Sequence, residues 1–132
     1  MLTGMTPPDY TTSDKGAFVY GSNILTEMDQ VRHSLGVCPQ HDVLFENLTV
    51  REHILFFAQL KGASYAEAAE EATFTKMFHL EDRLDHTGSE LSGGQCRKLS
   101  VAIAVCGGSK FIVLDEPTAG EYNKFICLSQ GL

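Results

Sequence analysis

The chain is 132 residues long, 43% hydrophobic and 20% charged, with a net charge of −7. That length suits one domain with a modest core, and the acidic balance argues against non-specific binding to nucleic acid or anionic lipid. No apolar run approaches the roughly 20 residues that cross a bilayer, and Met1 is not followed by the basic-then-apolar pattern of a secretory signal, so a membrane role is expected to come through a partner or through further sequence.

The first sixteen residues, MLTGMTPPDYTTSDKG, are rich in Thr, Pro, Gly and Asp and predict loop. AFVYG is a short aromatic and β-branched strand closed by Gly21. TEMDQVRHS has room for one or two helical turns, and LGVCPQ is a second strand stopped by Pro39. After the loop HDVLFENL, Thr49 and Glu52 stand three apart, the reciprocal capping pattern, and open a helix. Val50, Ile54, Phe57, Ala58 and Leu60 are expected on its apolar face, and Gly62 ends it. Ser64 and Glu67 repeat the cap and open SYAEAAEEATFTKMFHL. EDRLDHTGSE predicts a polar connection. Ser92 and Gln95 form a third capping pair, ahead of Cys96, Leu99, Ile103 and Cys106 at helical spacing; Gly107 and Gly108 break the run. KFIVL is fully apolar and predicts a strand buried on both faces of a parallel sheet. Strands separated by helices make an α/β pattern.

Two stretches carry chemistry. In LSGGQ, residues 91–95, glycines at a helix start let an anion approach free backbone N–H groups at the positive end of the helix, and Ser92 adds a donor. A capped helix after a glycine turn would show the same residues, and local physics leaves the two readings level. In FIVLDEP, a buried strand runs into two acids. At the C-terminal end of a parallel strand these would face the place where α/β proteins bind ligands. Asp115 suits Mg²⁺ and Glu116 suits a general base for an attacking water; the alternative is that both cap the next turn. Gln40, past a strand end, is either a metal- or water-reaching amide or a solvated loop residue. Arg97 and Lys98, one turn into their helix, read as solvated bases within reach of phosphate. Cys38, Cys96, Cys106 and Cys127 contain no C-x-x-C pair and are expected to be reduced. His41 and His53 lack metal-ligand spacing.

LSGGQ and FIVLDEPT, with CPQHDVLFENLTVREHILFFAQLKG ahead of them, resemble the nucleotide-binding domain of ATP-binding cassette (ABC) transporters. The middle stretch is similar to the A subfamily, whose members export or flip lipids. The likeness runs from about Leu2 to Gly120. It implies an α/β fold, a partial P-loop NTPase core of ABC type with a helical subdomain. Residues 1–120 would form the partial nucleotide-binding domain, with the helical subdomain at about 50–90 coupling to transmembrane domains, and 121–132 a divergent tail. The implied cofactors are ATP and Mg²⁺. Gln40 matches the Q-loop glutamine, which senses Mg²⁺ and the attacking water. Ser92, Gly93, Gly94 and Gln95 match the signature motif, which contacts the γ-phosphate of ATP held by a second nucleotide-binding domain. Asp115 matches the metal-binding Walker B aspartate and Glu116 the catalytic glutamate. The implied place is the cytoplasmic face of a membrane, within a transporter; no nucleic-acid partner is implied.

The chain also departs from the family. No G-x-x-x-x-G-K-[ST] occurs, and in the family that loop lies just before the segment matching LTGMTPP. Where the family carries an aspartate two residues after the PTAG glycine, this chain has Tyr122, and EYNKFICLSQGL matches nothing in the family. The resemblance therefore implies a fragment of a transporter ATPase domain, with no hydrolysis expected from this polypeptide alone. The alternatives are a non-catalytic module that supplies its signature motif in trans and a soluble ABC-type ATPase.

Overall fold

The computed structural model describes residues 18–114, with only the backbone at 70–74. The opening loop, Asp115, Glu116 and the tail at 121–132 lie outside the described residues.

The first element is a small antiparallel hairpin, β1 (Phe18–Val19) and β2 (Ser22–Asn23), pairing Phe18 with Asn23 and Val19 with Ser22. Gly21 turns it at φ +85°, a region in which L-residues are strained. Helix α1 (Met28–Ser34) leads directly into β3 (Leu35–Cys38), and Pro39 follows as expected. β3 pairs in parallel with β4 (Phe111–Leu114), Leu35 opposite Phe111 through Cys38 opposite Leu114.

Between these strands lie the helices. Helix α2 (Val50–Leu60) starts at the predicted box: the Glu52 amide donates to Thr49 Oγ1 at 3.2 Å, and the Thr49 amide to Glu52 Oε2 at 2.8 Å. Its buried stripe is Val50, His53, Ile54 and Ala58. Leu60, expected on that stripe, is exposed: ten residues on from Val50 at 100° each, it has rotated off the face. Ser64 and Glu67 cap helix α3 (Tyr65–Glu71), again reciprocally. The helix does not run on to Leu80; Ala72–Phe78 tightens to a 3₁₀ segment and His79 takes φ +53°. Thr75, β-branched, disfavours α-helix there. The connection at 81–90 is more ordered than its polarity suggested. It holds two 3₁₀ turns, Glu81–Arg83 and Gly88–Glu90, the second opened by a fourth box, Thr87 with Glu90. Helix α4 (Gly93–Val105) follows.

The main core gathers Cys38, Val50, Ile54, Ala58, Leu80, Leu99, Val101 and Ala104, all nearly inaccessible. A smaller cluster joins Val19, Ile24 and Val31. β4 runs between the two: Phe111 packs on the small cluster, Ile112 and Leu114 on the large one. It is thus layered on both faces as a parallel strand should be, yet each of its four residues stays only half buried.

Lys61 ties α2 to the far end of α4. Its Nζ donates to the carbonyls of Ile103, Ala104 and Cys106 at 3.3, 3.1 and 2.8 Å and to Ser109 Oγ. A cation among the last carbonyls of a helix meets the negative end of its dipole. Gly107, at φ +72°, leaves room for that lysine; a Cβ there would fall 2.7 Å from Lys61 Cδ.

The acidic caps make a pH prediction. Glu52 and Glu90 are held below their ordinary value of 4.5 by the backbone amides and hydroxyls of Thr49 and Thr87, and Glu67 by the hydroxyl and amide of Ser64. A carboxylate depressed in the folded state adds stability that is complete above about pH 4.5 and is lost as pH falls through the lowered folded values. The melting temperature should therefore decline on that acid limb, and Glu52→Gln with Glu90→Gln should flatten the decline. An unchanged limb in the double variant would contradict the assignment.

Candidate nucleotide-facing site

Two strand ends and one helix start define the site. β3 and β4 are parallel and in register, so Cys38 and Leu114 end side by side. Gln40 lies two residues beyond Cys38, and the Asp115–Glu116 pair comes directly after Leu114 in the sequence. The C-terminal edge of parallel strands is where an open α/β sheet places its ligands.

The start of α4 is a capped turn with two glycines at its exposed edge. Ser92 is the N-cap: Gln95 N donates to Ser92 Oγ at 3.4 Å, and Ser92 N donates to Gln95 Oε1 at 2.9 Å. These two side chains thus hold the turn in shape. Gly93 and Gly94 occupy the first two helical positions, where no carbonyl of the helix reaches back to their amides. Neither has a left-handed φ, and a Cβ added to either would meet no atom within 4 Å. Nothing inside the described fold demands glycine there, and glycine is a poor helix former. The cradle that a Cβ would fill lies open to solvent.

The charge around that turn matters as well. The capping pairs at Thr49, Ser64 and Thr87 each carry Glu at the third helical position, whereas α4 carries neutral Gln95 and no acid in its first turn. The first turn of α4 thus sets no carboxylate against the positive end of its dipole, a setting that suits an anion.

Arg97 corrects its sequence reading. It is no solvated base: its side chain is only 12% exposed, and Nη1 donates to the Pro39 carbonyl at 2.6 Å, the Gln40 carbonyl at 3.3 Å and Asp42 Oδ1 at 3.2 Å. The signature turn and the Gln40 segment are thereby joined. Sequence reasoning missed this contact because its partners are 55 to 58 residues away, beyond any local pattern. Cys38 lies beside the pair; burial pushes its thiol up, with Arg97 opposing and Asp42 adding to the rise.

His53 is fully buried and bonded at both ring nitrogens: Nδ1 faces the Thr49 carbonyl at 2.8 Å and Nε2 accepts from the Phe45 amide at 2.9 Å. It pins the loop after Gln40 to α2. That loop and α2 also present an aromatic surface. Phe45 packs edge-on to Phe56 at 5.7 Å and stacks on Phe57 at 6.4 Å, while Val43, Phe45 and Phe56 remain 65%, 47% and 41% exposed. No described helix is long and apolar enough to cross a membrane.

Comparison with known proteins identifies the family. Residues 1–119 match the ABC transporter family. Over 123 residues the chain is 50% identical to mouse phospholipid-transporting ATPase ABCA3, covering 91% of this chain and 7% of that protein. It is 50% identical over 121 residues to mouse retinal-specific phospholipid-transporting ATPase ABCA4 and 47% identical to human ATP-binding cassette sub-family A member 2, in each case over 91% of this chain and 5% of the relative. The chain therefore spans only a small part of these relatives. Among solved structures, an ATP-binding subunit of an ABC transporter superposes with a TM-score of 0.62 at 28% identity, over 74% of this chain and 41% of that one. A dimeric bacterial ABC transporter cassette gives 0.60 at 28% identity, over 69% and 42%. The chain belongs to the ABC transporter family, with the α/β fold of a partial ABC-type P-loop NTPase core and its helical subdomain.

Proposed function

We propose that this chain is part of the ATPase domain of a lipid-exporting ABC transporter of the A subfamily, and that the start of α4 receives the γ-phosphate of ATP held by a second nucleotide-binding domain. The observation that carries this reading is the pair Gly93 and Gly94, which no contact within the described fold requires. MgATP, when bound, supplies the phosphoryl group. Ser92, with the amides of Gly93 and Gly94, would donate to it, and Gln95 would hold the turn. At the separate nucleotide site on this chain's own strand ends, Gln40 and Asp115 would hold Mg²⁺, and Glu116 would act as general base. The lipid assignment rests on the phospholipid-transporting relatives.

Residues 1–120 act in this reading as the partial nucleotide-binding domain and 121–132 as a divergent tail. The exposed Val43, Phe45 and Phe56, on the Gln40 loop and on the helical part at about 50–90, would meet transmembrane domains at the cytoplasmic face of the membrane. This surface favours a transporter over a soluble ATPase, which has no apolar partner to cover it.

The 132-residue polypeptide holds no lysine-bearing phosphate loop. It should therefore show no measurable ATP hydrolysis alone while associating with an intact cassette in an ATP-dependent way. Sedimentation of a mixture with and without ATP, alongside phosphate release from the chain by itself, tests both. A single-turnover rate abolished by Glu116→Gln would overturn the first expectation; no association at any nucleotide concentration would overturn the second.

A further inference from the structure

We propose that Arg97 is a positioning residue that sets the Gln40 segment from the signature helix, an assignment that rests on the nucleotide reading above. One nitrogen, Nη1, makes every contact described between Arg97 and this segment: two backbone carbonyls in succession, Pro39 and Gln40, and the Asp42 carboxylate. The segment needs such a fixing point. Past Cys38 it leaves the β3–β4 ladder, residues 39–45 have no helix or strand hydrogen bonding, and Pro39 cannot donate. Its next anchor is Phe45, whose amide is bound by His53. Gln40 thus sits in a span held at one end by the sheet, at the other by α2, and in the middle by Arg97.

The other end of the tie is equally defined. Arg97 lies one turn inside α4, two residues beyond Gln95, so its backbone moves with the turn that holds Gly93 and Gly94. Its neighbour Leu99 is fully buried and fixes the rotation of the helix. A shift of the α4 start on binding an anion is therefore passed through a partly desolvated charged contact, where such bonds are strong, to the carbonyl of Gln40 itself. Asp42 balances the guanidinium charge, so that the carbonyls are not its only acceptors.

The nature of the contact separates this role from packing. Methionine reproduces most of the arginine stem and no donor. Lysine keeps a cationic donor for the described contacts with Pro39, Gln40 and Asp42. The test is ¹⁵N relaxation on the full chain. Backbone order parameters at Gln40 and His41 are expected near the rigid value of about 0.85 in the wild type and below about 0.6 in Arg97→Met. Arg97→Lys should restore them, while Leu99 and Ala102 in α4 stay rigid in all three proteins. Should Arg97→Met fail to fold, Asp42→Ala, at an exposed position, should lower the order of Gln40 and His41 by itself. Mobile Gln40 in the wild type, no change in Arg97→Met or Asp42→Ala, or a Lys variant no better than Met would overturn the proposal. ATP-dependent association with an intact cassette, followed on the same samples, reports on the nucleotide reading separately: a chain that never associates but shows this pattern supports the tie and counts against that reading.

Discussion

Gly36→Ala should destabilise the fold by about 3 kcal/mol, at the top of the usual range for overpacking. Gly36 is in the middle of β3, paired with Ile112, and α4 crosses directly above it. A Cβ at that position would lie 1.8 Å from the Ala104 carbonyl oxygen, 2.8 Å from its carbon and 3.1 Å from Ser109 Oγ. Two of these atoms are backbone and cannot rotate away. The sheet ladder holds the strand from one side, and Lys61 holds the end of α4 from the other by bonding to that same Ala104 carbonyl. Relief would require the strand and helix to separate, which exposes the core at Leu99 and Ala104. Chemical denaturation of the two proteins measures the difference directly, and a loss well under 1 kcal/mol would mean that β3 and α4 do not approach this closely.

The double change Gly93→Ala and Gly94→Ala should act in opposite directions on folding and on assembly. Each added methyl enters open space at an unstrained backbone position, and alanine is the better helix former by up to about 1 kcal/mol. The melting temperature should hold or rise. Association with an ATP-loaded cassette should weaken, because the methyls occupy the space through which phosphate reaches the amides. Hydrogen bonds to a charged acceptor contribute about 1.5–3 kcal/mol each, so losing two predicts roughly a 100-fold or greater loss of affinity. Sedimentation with ATP and a thermal melt give both halves. A variant that folds better and associates as before would leave the glycines without a role in phosphate binding.

How much of this was legible in the sequence depends on how far each signal reaches along the chain. The capping boxes at Thr49, Ser64 and Ser92 are four-residue patterns, and the structure forms all three. Thr87 and Glu90 form the same pattern inside a polar stretch with no apolar periodicity after it to mark a helix. The parallel β3–β4 pair follows from two apolar runs separated by helices. The contacts that shape the site were not legible. Arg97 to Pro39, Lys61 to Ala104 and Gly36 against α4 join residues 40 to 70 positions apart, and no local periodicity encodes which side chain will meet which carbonyl. Even Leu60 shows the limit: an apolar residue at nearly the right spacing lies outside the buried stripe.

The central claim is that the start of α4 recognises a terminal phosphate presented by another molecule. It is tested most directly by the amide resonances of Ser92, Gly93 and Gly94 in the full chain, recorded as an intact cassette is added with ATP and, separately, with ADP. The account predicts large shifts at these three amides with ATP and none with ADP. Shifts of equal size with both nucleotides, or shifts elsewhere that leave Gly93 and Gly94 unmoved, would contradict it.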